Sequence, residues 1–119
     1  SYTGAVVMDY GYGYGLKYAH FNGTSWAIEI IDSNSGNGWT SLAFDSLGNP
    51  AISYYDEKNS YLKYAYFDGT TWQKEVVDSE GDVGYYSSLA FNNEGNPAIA
   101  YAMYDLNTGK YHLKFATYK

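Results

Sequence analysis

The residues whose types could carry chemistry are two histidines, a pair of glutamates, two acidic loops and a set of large aromatic side chains. His20 and His112 would be the acid–base groups of an enzyme. No Ser-His-Asp order, no zinc-ligand spacing and no glycine loop ahead of a helix accompanies them, so each is read as filling an aromatic slot in a strand. Glu29 and Glu75 invite comparison with glycoside hydrolysis, which needs two carboxyl groups about 5–10 Å apart. They fall at matching places in separate segments, as solvated charges that guard a strand edge would. No catalytic residue is assigned, and the chain reads as a non-enzyme without a cofactor.

The segments 32–38 and 78–84 alternate acidic and amide oxygens as calcium loops do, which makes Asp32, Asn34, Asp78 and Asp82 the calcium candidates. Neither segment has the bidentate Glu at the twelfth position, so no metal site is assigned. The aromatic residues that could stack on a sugar ring are Trp39 and Tyr85, which lead into inner strands, and Trp26 and Trp72. The run Tyr10, Tyr12, Tyr14 alternates with glycine where a later copy of the same unit has a polar turn, and rings in such a place are expected to be covered by a neighbouring subunit.

What must position these residues is a sheet. Sixteen tyrosines and 13 glycines in 119 residues leave little aliphatic material for helices, and no window keeps helical apolar spacing. The net charge of −6 and the absence of arginine speak against nucleic acid as a partner. No apolar run is long enough to span a bilayer as a helix. Without cysteine there are no disulfides or thiolate sites. A first residue other than Met, together with the Asn22-Gly23-Thr24 sequon, leans towards an extracellular or cell-surface location.

The chain repeats itself. LKYAHFNGTSW at 16–26 returns as LKYAYFDGTTW at 62–72, and SLAFDSLGNPAISY at 41–54 returns as SLAFNNEGNPAIAY at 88–101. Units of about 40–50 residues indicate propeller blades. The complete unit predicts strands at 41–44, 50–55, 61–67 and 72–77, separated by turn residues such as Asp68-Gly69. The expected fold is all-β, a β-propeller of antiparallel four-stranded blades, about 2.5 per chain. One repeat domain covers 1–119, with a partial blade at 1–40, a complete one at 41–87 and a partial one at 88–119. Incomplete blades at both ends leave unpaired edges and aromatic faces, which predicts completion by a homo-oligomer or homopolymer through Tyr10, Tyr12, Tyr14, Leu113, Phe115 and Tyr118.

The elements GNPAISYYD, LKYAYFDGTTW and SLAF resemble the repeats of bacterial and archaeal extracellular propeller proteins. The segments 21–26 and 67–72 are similar to an element of small oligomeric fucose-binding propeller lectins. The second resemblance implies oligomers that bind sugars between blades. The reading that follows is a secreted, self-assembling structural protein forming a filament, tube or closed oligomer, with a carbohydrate-binding lectin as the alternative and a glycan as its partner.

Overall fold

The computed structural model describes residues 3–9, 14–33 and 39–118. Tyr10, Tyr12 and Asn34 lie outside the described residues, and of Tyr14 only the backbone is described. Among the described residues the strands are β1 (Thr3–Asp9), β2 (Tyr14–Phe21), β3 (Trp26–Asp32), β4 (Thr40–Phe44), β5 (Pro50–Asp56), β6 (Tyr61–Phe67), β7 (Trp72–Asp78), β8 (Asp82–Phe91), β9 (Pro97–Asp105) and β10 (Lys110–Thr117), with no helix. They form three antiparallel sheets, ordered β1-β2-β3, β4-β5-β6-β7 and β10-β9-β8.

Local chemistry explains the strand limits. Pro50 and Pro97 open β5 and β9, where a missing N–H costs least. The β4–β5 turn closes on Asp45, whose Oδ1 accepts from the Leu47 and Asn49 N–H groups at 2.9 and 2.8 Å. Asn92 repeats this in the β8–β9 turn, accepting from Glu94 and Asn96 at 2.9 Å. The β2–β3 and β6–β7 turns are likewise twins: Asn22 accepts from Thr24 and Ser25, and Asp68 accepts from Thr70 and Thr71. One limit departs from expectation. β8 begins at Asp82, inside the 78–84 segment read as a connection, and two register shifts carry it from the Asp82–Tyr104 pair to the Ser88–Ala100 pair. Bulges of this kind bend a strand and let one long strand serve two neighbours.

The core lies between the sheets. Leu16, Tyr18 and Ile31 of the first sheet meet Ile52, Tyr54 and Ala65 of the middle one. On its other face the middle sheet turns Ala51, Leu62 and Tyr64 against Val83, Leu89, Ile99 and Tyr101 of the last. Both faces of the middle sheet are therefore apolar, as a sheet covered on two sides requires, and each fully buried aliphatic side chain stabilises by about 1.5–3 kcal/mol.

A polar staple closes each junction. Asp32, at the end of β3, accepts from the Tyr54 hydroxyl at 2.8 Å and the Lys63 ammonium at 2.9 Å. Asp78, at the end of β7, accepts from the Tyr101 hydroxyl and the Lys114 ammonium, both at 2.7 Å. The outer strand of one sheet thus ends in a carboxylate held by the next sheet.

Candidate functional site

The carboxylates read as solvated edge charges are exposed, and each also borders a cavity between sheets. Tyr18 lies opposite Glu29 across β2 and β3, and Tyr64 lies opposite Glu75 across β6 and β7, the same register in two sheets. Cross-strand partners share a face, and in both sheets that face looks towards the next sheet. A cavity of about 290 Å³ between the middle and last sheets is lined by Tyr64, Tyr66, Glu75, Asp45, Pro97 and Tyr118 among others. A cavity of about 230 Å³ between the first and middle sheets is lined by Tyr18, His20, Glu29, Pro50, Phe67 and Trp72. Position by position along the repeat, Tyr18 answers to Tyr64, His20 to Tyr66, Glu29 to Glu75 and Pro50 to Pro97.

The two pockets share their internal geometry. Tyr64 and Tyr66 stack with centroids 5.4 Å apart, and Tyr18 and His20 do so at 5.5 Å. Burial first, then the nearby Glu75, Tyr66 and Asp45, push the Tyr64 hydroxyl well above its ordinary range, and burial with Glu29 raises Tyr18. Both phenols therefore remain hydroxyls at any physiological pH. Among the described residues no hydrogen bond or ion pair reaches the Glu29 or Glu75 carboxylate, whereas Asp45, Asp56, Asp68 and Asp82 all accept hydrogen bonds. In the first pocket the His20 Nδ1 is a buried nitrogen with no partner, a feature that calls for an explanation in a folded chain. Aromatic walls with one or two carboxylates and one to three tyrosine hydroxyls suit a neutral, hydroxyl-bearing ligand with an apolar face.

Of the aromatic candidates, Trp72 lines the first pocket and meets Tyr18 edge-on at 5.4 Å. Trp26 packs on Phe21 at 5.7 Å and is 53% exposed on the outward face of the first sheet, away from both pockets. Trp39 and Tyr85 come together, centroids 4.9 Å apart, in a cluster with Tyr55 and Tyr86 beyond the opposite strand ends. There the Tyr55 and Tyr85 hydroxyls each donate to one oxygen of Asp82 at 2.7 Å. The oxygens of Asp32 and Asp78 that face the neighbouring sheet accept from lysine and tyrosine, so these candidates hold sheets together. No group of three or more possible metal ligands occurs among the described residues. His112 sits 3.4 Å from Asp105 across the β9–β10 hairpin, outside both pockets. Leu113, Phe115 and Tyr118 are 83%, 67% and 61% exposed, and Tyr118 also lines the second pocket.

Sequence reasoning did not foresee that Glu29, Glu75, Tyr18 and Tyr64 line cavities between sheets. A signal was present: between the two copies of the outer strand, WAIEIID at 26–32 and WQKEVVD at 72–78, glutamate is the one identity inside the strand besides the terminal Trp and Asp.

The fold is all-β, of β-propeller type, built from antiparallel sheets. Among solved structures it is similar in fold to a fucose lectin from Kordia zhangzhouensis in complex with methyl-fucoside, which aligns with TM-score 0.61 over 98% of this chain and 87% of that one at 10% identity. No protein-family model and no curated protein matches the chain, and the likeness to extracellular propeller repeats gains no support from them.

Proposed function

We propose that the chain is a non-enzymatic, extracellular carbohydrate-binding protein that seats sugar rings between adjacent sheets. The observation that carries this reading is the duplication of one pocket, with a tyrosine, a glutamate free of hydrogen bonds among the described residues and a strand-opening proline at matching repeat positions. Duplication of a structural core needs no carboxylate turned into a cavity. The fucose lectin neighbour supports the same reading, and the exposed hairpin carrying the Asn22-Gly23-Thr24 sequon supports the location. In each pocket the tyrosine and glutamate would orient sugar hydroxyls, while Trp72 or Tyr118 covers the apolar face of the ring.

A glycan array followed by calorimetric titration with methyl-fucoside tests it. Glu29→Gln and Glu75→Gln should each weaken their own pocket by about 1.5–3 kcal/mol, roughly 10- to 100-fold in affinity, because each removes a charge-assisted hydrogen bond while keeping the shape. Wild-type protein silent on every glycan, or a double variant that binds as well as wild type, would reject the reading.

A second reading, assembly of several copies, is favoured by unequal burial at matching positions. Leu16 and Leu62 are both 0% exposed, and Tyr18 and Tyr64 are 5% and 6%, yet Leu113 and Phe115, their counterparts in the last sheet, are 83% and 67%. We infer that a second copy presents its first sheet to that face, head to tail, giving either a closed ring or an open polymer. Sedimentation of wild type should exceed the monomer, and Leu113→Glu with Phe115→Glu should return it to one; a wild-type monomer at micromolar concentration would end this reading.

A further inference from the structure

Among the described residues the cavities at the two junctions differ in extent. Beside the cavity of about 290 Å³ at the second junction lies another of about 210 Å³, and the two share Tyr64, Glu75, Pro97 and Tyr118. Val77 of β7, Ile99 of β9 and Ala116 of β10 supply the additional wall. The cause is the sheet order. In the middle sheet β7 stands outside β6 and turns Trp72 into the first junction, where it packs against the core. In the last sheet no described strand stands outside β10, so β7 faces open space beyond it. The joined space at the second junction reaches the size of ordinary ligand pockets, about 300–1,000 Å³. The cavity of about 230 Å³ at the first junction does not.

We propose that the second junction binds two consecutive units of a neutral glycan, and the first junction only one. This rests on the carbohydrate reading above. The terminal unit sits against Tyr66 and Asp45. The penultimate unit lies along β10 with its apolar face on Val77, Ile99 and Ala116. Glu75, common to both cavities, accepts from hydroxyls on either side of the linkage. Continuity with the first cavity through Tyr64, Glu75 and Tyr118 is what commits the groove to a sugar. A wall with Asp45 and Glu75 and no lysine among its lining residues excludes an acidic unit on charge grounds.

The test compares methyl-fucoside, methyl-galactoside, methyl-glucoside and methyl-mannoside with disaccharides ending in the same sugars, by calorimetry on the full chain. One site is expected to bind its disaccharide about tenfold tighter than the methyl glycoside, while the other shows no such gain. Val77→Trp, at a position 36% exposed on β7, should fill the groove and erase the gain. Thr117→Trp, on the exposed edge strand, is the second variant should the first fail to fold. Equal affinity for one and two units in wild type, or a gain that survives both variants, overturns the proposal. A change in sedimentation with unchanged affinity would give the groove to a second copy of the chain and overturn it too. Failure of every sugar to bind at all rejects the carbohydrate reading itself, a distinguishable result.

Discussion

Asp32→Ala is expected to cost about 3–5 kcal/mol of unfolding free energy, the range for removing one member of a buried ion pair. Asp32 is 3% exposed, and its loss removes the acceptor shared by the buried Tyr54 hydroxyl and the Lys63 ammonium at the first junction. Lys63 keeps the Asp56 carboxylate at 3.8 Å, a longer contact than the one it loses. Urea denaturation checks this, and a loss under about 1 kcal/mol, the level of a surface pair, would mean that the staple is not what joins the sheets. The second staple adds a pH signature. Burial pushes the Asp78 carboxyl up, but the Lys114 ammonium, the Glu80 N–H and the Tyr101 hydroxyl together outweigh it and hold the group below the usual carboxylate range. A carboxyl depressed by folding stabilises the fold above its unfolded pKa of about 3.9 and loses that contribution as pH falls through the lower folded value. Thermal melts of wild type should therefore drop steeply below about pH 4, and Asp78→Asn should flatten that part of the curve.

Gly84→Ala is expected to cost about 2–4 kcal/mol, from backbone strain and overpacking combined. Gly84 has φ +112°, and a Cβ there would stand 3.0 Å from the Leu62 Cα and 3.2 Å from the Tyr61 carbonyl oxygen, neither of which can swing aside. Gly81, with φ +90°, would meet only the flexible Met103 side chain at 3.7 Å. Gly81→Ala should therefore cost about 1 kcal/mol, the strain alone. Equal losses for the two variants would show that close approach of β8 to β6 does not constrain the bulge. Because Gly84 sits at the first register shift of β8 against β9, between Val83 and Tyr85, its variant should also loosen the Tyr55–Asp82–Tyr85 cluster, visible in near-ultraviolet circular dichroism.

Turn chemistry and strand limits were legible because they are local. Asp68-Gly69 and Asn22-Gly23 close hairpins through their own side chains, and Pro50 and Pro97 open strands, whatever the rest of the chain does. Four short strands per unit therefore emerged within a residue of their positions, and the three-, four- and three-stranded sheets follow from where the repeat is cut. The start of β8 was not legible. Its bulges exist to reach Tyr104 on one side and Ser60 on the other, contacts made by segments distant in sequence.

The candidate site divides the same way. The repeat marked Glu29 and Glu75 as a matched pair, but alternation along a strand says only that Glu75 and Val77 share a face. Which of the two faces meets a neighbour depends on how sheets built from residues about 46 apart turn against one another, and that rotation is set by packing between Leu62, Tyr64, Ile99 and Tyr101. Sequence by itself determined an all-β chain of repeated hairpins, since backbone preference and turn formation act over a few residues. Only the tertiary structure decided that the exposed glutamates border cavities, that Asp32 and Asp78 bind lysines of the next sheet, and that one pocket continues into a groove. Those outcomes arise from surfaces meeting across sheets, where burial and pairing are properties of two segments at once.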